Sequence, residues 1–443
     1  MSVNTIDYTK YYEEIFAHSS LEVKGRVTQV VGLVMEVSGL RLFVDELCLV
    51  EVPGSDEPVL AEVVGFRQGR ALLMPMGNLK GIGPGCLVKG TGVPFSIKVG
   101  PGLLGKVLDA LGNPIQEDDL ISGPLEDYPV ENSPPSPLER EPISEVMVTG
   151  VRAIDSLLTC GQGQRIGIFS GSGVGKSSLM GMIARYSEAD VSVIGLVGER
   201  GREVLDFVRN DLGPEGLKRS VLIVSTSDRP ALERVKAALV ATAVAEYFRD
   251  QGQKVILMMD SITRFAMALR EIGLAIGEPP ATKGYTPSVF ATLPRLLERS
   301  GTARRGSITG FYTVLVDGDD FNEPIADAAR GILDGHIILS RNLASQNHYP
   351  AIDVLESVSR LMPFIVSEEH YQQAGALREL LSTYRESEDL INIGAYVQGS
   401  NATIDRAISY RDPINSFLRQ NMSESVSWQD SRDSMTTLLT PPS

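Results

Sequence analysis

Residues Arg165–Leu179 read RIGIFSGSGVGKSSL: an apolar run, a glycine-rich loop, then Lys-Ser-Ser at the head of a helical pattern. Strand, tight loop and helix in that order bring successive backbone N–H groups and a helix amino end onto one anion. Gly171, Gly173 and Gly175, interleaved with Ser172 and Val174, let the backbone turn inward. Lys176 supplies a point charge for the β- and γ-phosphates, and Ser177, followed by Ser178, offers a hydroxyl to Mg²⁺. The strict pattern asks for Gly where Ser170 stands, five residues before Gly175. The context is the required one, because Ile166–Phe169 reads as a buried strand and Ser177–Tyr186 as a helix. The chain is expected to bind a nucleoside triphosphate.

Working outward, residues 146–363 alternate apolar strand candidates with helical stretches such as Pro230–Arg249. The candidates are Val191–Val197, Val221–Val224, Val255–Met259, Thr309–Val316 and His336–Leu339. That alternation predicts an α/β domain with a mostly parallel sheet, which binds ligands at the carboxyl ends of its strands. Before it, GRVTQVVGLVMEV and LAEVVGFRQGRALLMPM alternate β-patterned runs with Gly, Pro and Asp turns, which predicts a small β-barrel over residues 21–97. Residues 98–145 read as a linker, with a domain boundary in the proline-dense stretch Pro124–Pro142. Residues 364–443 read as a helical domain ending in a frayed Ser/Thr-rich tail, Met422–Ser443. The first 20 residues carry Ile6, Tyr8, Tyr11, Tyr12, Ile15 and Phe16, the pattern of an amphipathic helix that either holds a partner or packs on a core.

Composition narrows the class. At 443 residues the chain is too long for one ordinary core, and 43% hydrophobic residues fit a globular protein rather than a disordered one. A formal net charge of −15 opposes broad adsorption to nucleic acid or anionic lipid. Cys48, Cys86 and Cys160 have no metal-ligand spacing and read as buried reduced thiols. No leader pattern opens the chain and no spanning apolar run occurs, so export by a cleaved signal and insertion into the membrane are not expected.

Hydrolysis also needs a carboxylate on Mg²⁺ and a base beside the attacking water. Asp260 ends the apolar run VILMMD, at a strand tip beside the loop; the structural alternative is a helix N-cap. Glu199 follows the strand VSVIGLVG, and an adjacent strand end would bring its carboxylate to the γ-phosphate.

GSGVGKSS, GERGREVLDF, ILMMDSITRFAMALREI, GEPPATKGYTPSVFATLPRLLERSG, GSITGFYTVLVDGDDFNEPIAD and LDGHIILSRNLA…HYPAIDVLESVSR together resemble the ATPases of type III protein export, most closely the flagellar export ATPase. These are relatives of the catalytic subunit of the rotary ATP synthases, and the resemblance spans about Gly25 to Leu418. It implies a RecA-like core and ATP with Mg²⁺ as ligands. By the same resemblance Lys176 and Ser177 match the phosphate and Mg²⁺ ligands, Glu199 the catalytic carboxylate, Arg200 an arginine at the γ-phosphate and Asp260 the Walker B aspartate. Tyr349 matches the aromatic that stacks on adenine, and Arg360 the arginine that reaches into a neighbouring subunit's site. Carboxylate and finger on one chain imply a homohexamer. The implied partners are a regulatory stator-like export protein at the N-terminus, a central stalk-like export protein, export gate membrane proteins and chaperone–substrate complexes. The implied place is the cytoplasm, against the inner face of the cytoplasmic membrane.

Other readings share parts of this pattern. An injectisome secretion ATPase differs little, and a catalytic subunit of a rotary synthase shares the loop, GER and HYPAID segments but works beside a second kind of subunit. A ring-shaped RNA helicase is opposed by the acidic balance and by the lack of a basic, aromatic-rich N-terminal domain. A structural ring subunit, from a different class, would not need Lys176, Glu199, Asp260 and Arg360 together.

Overall fold

The computed structural model describes Tyr8 and residues 23–116, 120–316 and 323–440, and it forms two compact units that divide between Phe95 and Ser96. The segment expected to be an N-terminal amphipathic helix lies outside the described residues except for Tyr8.

The first unit is a closed barrel of six strands: β1 (Gly25–Val31), β2 (Val34–Ser38), β3 (Glu46–Val50), β4 (Val59–Arg67), β5 (Arg70–Pro75) and β6 (Leu87–Pro94). Its order is β1-β2-β5-β4-β3-β6, every pair antiparallel. Alternate residues turn inward, so Val27, Met35, Val50, Val63 and Leu73 fill the lumen together with Cys48 and Cys86. All three cysteines are buried and free.

The second unit holds a nine-stranded sheet. In chain order its elements are β7 (Val107–Leu108), α1 (Arg152–Leu157), β8 (Arg165–Ser170), α2 (Lys176–Tyr186), β9 (Val191–Glu199) and α3 (Gly201–Asp206). Then come β10 (Ser220–Thr226), α4 (Ala231–Asp250), β11 (Lys254–Asp260), α5 (Ile262–Ile276), β12 (Ser307–Leu315), β13 (Gly335–Leu339) and β14 (Val358–Ser359). The order is β14-β13-β8-β12-β11-β9-β10-β7, with Gly301–Thr302 paired to β12 off this path. Contacts from β13 through β7 are all parallel, and β14 runs antiparallel at the edge. Helices cover both faces of such a sheet, which is why β9 and β11 read as unbroken apolar runs and not as alternating ones.

Proline density is not slack chain here. Residues 126–132, within the stretch read as a linker, lie along α4, whose residues are all buried except Arg234 and Asp250. Tyr128 Oη donates to Asp250 at 3.0 Å, Asn132 Nδ2 to Glu246 at 3.1 Å, and Glu131 pairs with Lys236 at 3.0 Å. Arg299 Nη2 closes on the same Glu246 at 2.7 Å, both side chains almost fully buried. These ions tolerate burial because each has a charged or carbonyl partner.

The C-terminal region is helical: α6 (Glu368–Asn392), α7 (Ala402–Leu418) and α8 (Trp428–Leu439). The tail expected to fray contains α8 instead. Its Met435 is fully buried, Ser431 is buried, and Trp428 stacks on His370 of α6 with ring centroids 5.2 Å apart. Those residues recur at helical spacing, and the Ser/Thr composition concealed that apolar face.

Candidate functional site

β8 delivers the loop to the carboxyl edge of the sheet, and α2 begins at Lys176. Gly173 (φ 77°) and Gly175 (φ 93°) adopt the left-handed region that only glycine enters without strain, so the loop's turn depends on them. Ser170 ends β8 with its hydroxyl buried and without a hydrogen-bond partner among the described residues, whereas Ser172 is exposed on the loop. Ser178 hydrogen-bonds Asp211, which leaves Ser177 as the hydroxyl available at the first turn of α2.

Three side chains from three elements meet at that edge. Lys176 Nζ lies 2.5 Å from Asp260 Oδ1 and 3.6 Å from Glu199 Oε1. Asp260 is the last residue of β11, and Thr313 Oγ1 of β12 donates to the same Oδ1 at 2.7 Å. It is not the cap of α5: Ser261 is, its side chain accepting from Arg264 N. Glu199 is the last residue of β9, next to β11 in the sheet. Asp260 is level with Leu196, and β9 runs three residues farther to Glu199, so the two strand ends bring both carboxylates against one ammonium.

Burial opposes the Lys176 charge, but Asp260 and then Glu199 outweigh it and raise its pKa. Glu199 goes the other way from an ordinary carboxylate: burial pushes it up, Lys176 pulls it down and Asp260 pushes it up again, to about 7. Glu203 on α3 takes a hydrogen bond from Glu199 and is held lower for that reason. A proton shared between the two carboxyls explains the lowering of Glu203 and adds to the rise of Glu199, which burial dominates. A base at this position would have to be ionised, and the ionised fraction of Glu199 grows as pH rises through about 7. Turnover is therefore expected to rise along a one-proton limb near neutral pH. In Glu203→Ala, which removes a neighbour that raises Glu199, that limb should move to lower pH. A kcat–pH profile with no limb, or one unmoved by Glu203→Ala, would contradict this.

Tyr349 lies over the loop, its ring carbons 3.4 and 3.5 Å from where a Cβ on Gly175 would stand. It is 42% exposed, which leaves a ring face open to a stacking partner. Arg200, at the N-cap of α3, instead has its side chain 73% exposed, 3.3 Å from Glu203. Arg360 is elsewhere. Ser170 is level with Leu339 at the carboxyl end of β13, whereas Arg360 N donates to Asp334 O beyond the amino end, and its Nη2 donates to Arg330 O at 3.1 Å. Five residue steps, from Asp334 to Leu339, separate those levels, about 17 Å at ~3.3 Å per residue.

Sequence reasoning passed over Arg264. Its side chain packs where a Gly198 Cβ would meet it at 3.0 Å, one residue before Glu199, and its Nε is buried with no hydrogen-bond partner among the described residues. The signal was its spacing: four residues after Asp260 is the first turn of α5, beside the same strand ends. As for metal, no cluster of three His, Cys, Asp or Glu that could hold an ion occurs among the described residues. One hydroxyl, Ser177, and one carboxylate, Asp260, form the sparse oxygen set that suits Mg²⁺ arriving with phosphates and most of its waters.

This geometry has close relatives. Residues 150–359 match the nucleotide-binding domain of the ATP synthase alpha/beta family, residues 27–92 its beta-barrel domain, and residues 366–437 the T3SS EscN ATPase C-terminal domain. The chain is 57% identical to the flagellum-specific ATP synthase of Bacillus subtilis (strain 168), covering 94% of each chain. It is 51% identical to the type 3 secretion system ATPase of Xanthomonas euvesicatoria, covering 94% of this chain and 93% of that one. Among solved structures, the assembled ATPase EscN of the enteropathogenic E. coli type III secretion system superimposes with a TM-score of 0.88 at 44% identity, over 94% of this chain and 100% of that one. The same ATPase in complex with its central stalk EscO gives 0.87 at 44% identity, with the same coverage. With barrel, nucleotide-binding core and C-terminal helices all matched in order, the chain belongs to the ATP synthase alpha/beta family, among its flagellar and type III secretion ATPases.

Proposed function

We propose that this ATPase works as a homohexameric ring of the flagellar export apparatus, hydrolysing Mg²⁺-ATP and releasing or unfolding export substrates from their chaperones. The convergence of Lys176, Glu199 and Asp260 at the carboxyl ends of neighbouring parallel strands carries the chemical part. Lys176 and the N–H groups of the loop hold the phosphates, and Tyr349 stacks on adenine. Ser177 and Asp260 would hold Mg²⁺, which would supply charge neutralisation to the phosphates. Glu199 orients the attacking water and accepts its proton, which its position near neutrality suits. Arg360, too far along the sheet to serve its own loop, supplies its guanidinium to the γ-phosphoryl charge of the adjoining subunit. Arg200, now on Glu203, swings to the γ-phosphate when nucleotide enters.

Among the described residues no helix is long and apolar enough to cross a membrane. Contact with the inner face of the cytoplasmic membrane runs, on this reading, through a weak peripheral segment or through partners: a stator-like regulator on the N-terminal segment, a stalk-like protein in the ring centre, and the export gate. The flagellar reading is preferred because two flagellum-specific relatives reach 57% and 54% identity, while others at 51%, 49% and 48% overlap the secretion-system relatives at 51% and 48%.

Phosphate release measured against protein concentration tests the assembly. Specific activity should rise as rings form, and chelation of Mg²⁺ should abolish it. Constant specific activity from a protein that stays monomeric would overturn the ring. Deleting the gene should stop flagellar filament assembly; motile, filament-bearing deletion cells would overturn the flagellar assignment.

A further inference from the structure

We propose that the turn after α7, Gln420–Glu424, is a clasp that sets the adenine platform, with Gln420 as its positioning residue. The proposal rests on the reading of Tyr349 as that platform. Gln420 is 5% exposed, and both ends of its amide are engaged. Oε1 accepts from Arg152 N at 2.8 Å, while Nε2 donates to Gly150 O at 2.8 Å and to Glu424 O at 2.9 Å. A buried amide so engaged has one orientation and fixes the backbone that carries it. That backbone reaches the site directly: Gln420 N donates to Tyr349 O at 3.0 Å.

Two residues on, the same turn grips the other end of the phosphate-binding helix. Met422 O accepts from Arg185 Nη2 at 2.5 Å and from Tyr186 Oη at 3.1 Å, both in the last turn of α2. One short segment thus ties Tyr349, whose ring lies against Gly175 at the start of α2, to the end of that helix. Arg152 completes the anchorage, donating to Phe417 O at 2.9 Å and to Arg419 O at 3.2 Å and pairing with Glu424. Since Gln420 lies two residues past the end of α7, a displacement of the C-terminal helices carries Gln420 with it and moves Tyr349. Affinity for the base is set from the C-terminal region, while Lys176 at the head of α2 and Glu199 and Asp260 at the strand ends keep their places.

The test uses the full-length ring and separates base from phosphate. Gln420→Met, of similar size but without hydrogen bonds, should raise KM for ATP about fivefold, as loss of a positioning hydrogen-bond set does. Its kcat should change far less, and inhibition by inorganic tripolyphosphate, which has no base, should not weaken. Tyr349→Ala should also raise KM for ATP and spare tripolyphosphate. If Tyr349→Ala leaves KM unchanged, the platform reading falls and the clasp with it. If Tyr349→Ala raises KM but Gln420→Met does not, the clasp alone is overturned. Equal weakening of ATP and tripolyphosphate by Gln420→Met would reveal general loosening and also overturn it. Should that variant fail to form rings, Gln420→Asn, which withdraws the amide on a shorter stem, is read by the same measurements.

Discussion

Glu199→Gln should bind ATP as the unchanged protein does and lose turnover by about 10²–10⁴-fold, the usual worth of a positioned general base. The substitution keeps the shape and the contact with Lys176 but removes the proton acceptor at the end of β9. Lys176→Ala should behave differently, lowering both affinity and turnover, because the proposed role of the ammonium is to hold ground-state phosphate as well as transition-state charge. Equilibrium binding of a fluorescent ATP analogue, beside steady-state phosphate release, separates the two. Turnover at the unchanged level in Glu199→Gln would remove the residue from its assigned role.

Arg360→Ala should cost about 10³–10⁵-fold in turnover, the range for a guanidinium that stabilises a transferring phosphoryl group, while nucleotide still binds. The decisive experiment mixes two inactive proteins. Rings assembled from Arg360→Ala and Glu199→Gln subunits contain some interfaces where an intact Glu199 faces an intact Arg360. Those interfaces should restore part of the activity. The geometry favours this outcome, since Arg360 sits at the amino end of β13 and its own loop at the carboxyl end of β8. Absence of rescue in rings whose mixing is verified would mean that each site is built from one chain.

Much of this was legible before any coordinates. Strands buried on both faces must be apolar throughout, so β9, β10 and β11 announced themselves, and the carboxylates ending two of them stood out against those runs. A glycine-rich loop between strand and helix is local, and so readable. What escaped was long-range. Arg264 reaches Glu199's neighbourhood only because β9 and β11 are adjacent in the sheet, and nothing local to DSITRF says so. The prolines of residues 124–142 signalled the absence of helix, which is correct for the long elements, but could not reveal that the chain there is pinned to α4 by Glu131 and Asn132. In α8, Trp428 and Met435 lie seven residues apart among hydroxyl residues, too sparse an apolar stripe to outweigh the composition.

The order of strands bears on when this protein becomes competent during synthesis. β8, which carries the phosphate-binding loop, pairs with β12 and β13, whose residues lie between 307 and 339. A nascent chain that has emerged only through α5 therefore contains the complete loop motif but neither of the strands that flank β8. Nucleotide cannot help such an intermediate to fold, because its binding surface is among the last parts of the core to be assembled, and pairings this distant in sequence form slowly. Both edges of β8 stand unpaired until residue 315 has left the ribosome, and one of them until residue 339 has, so ATP cannot be what shields them.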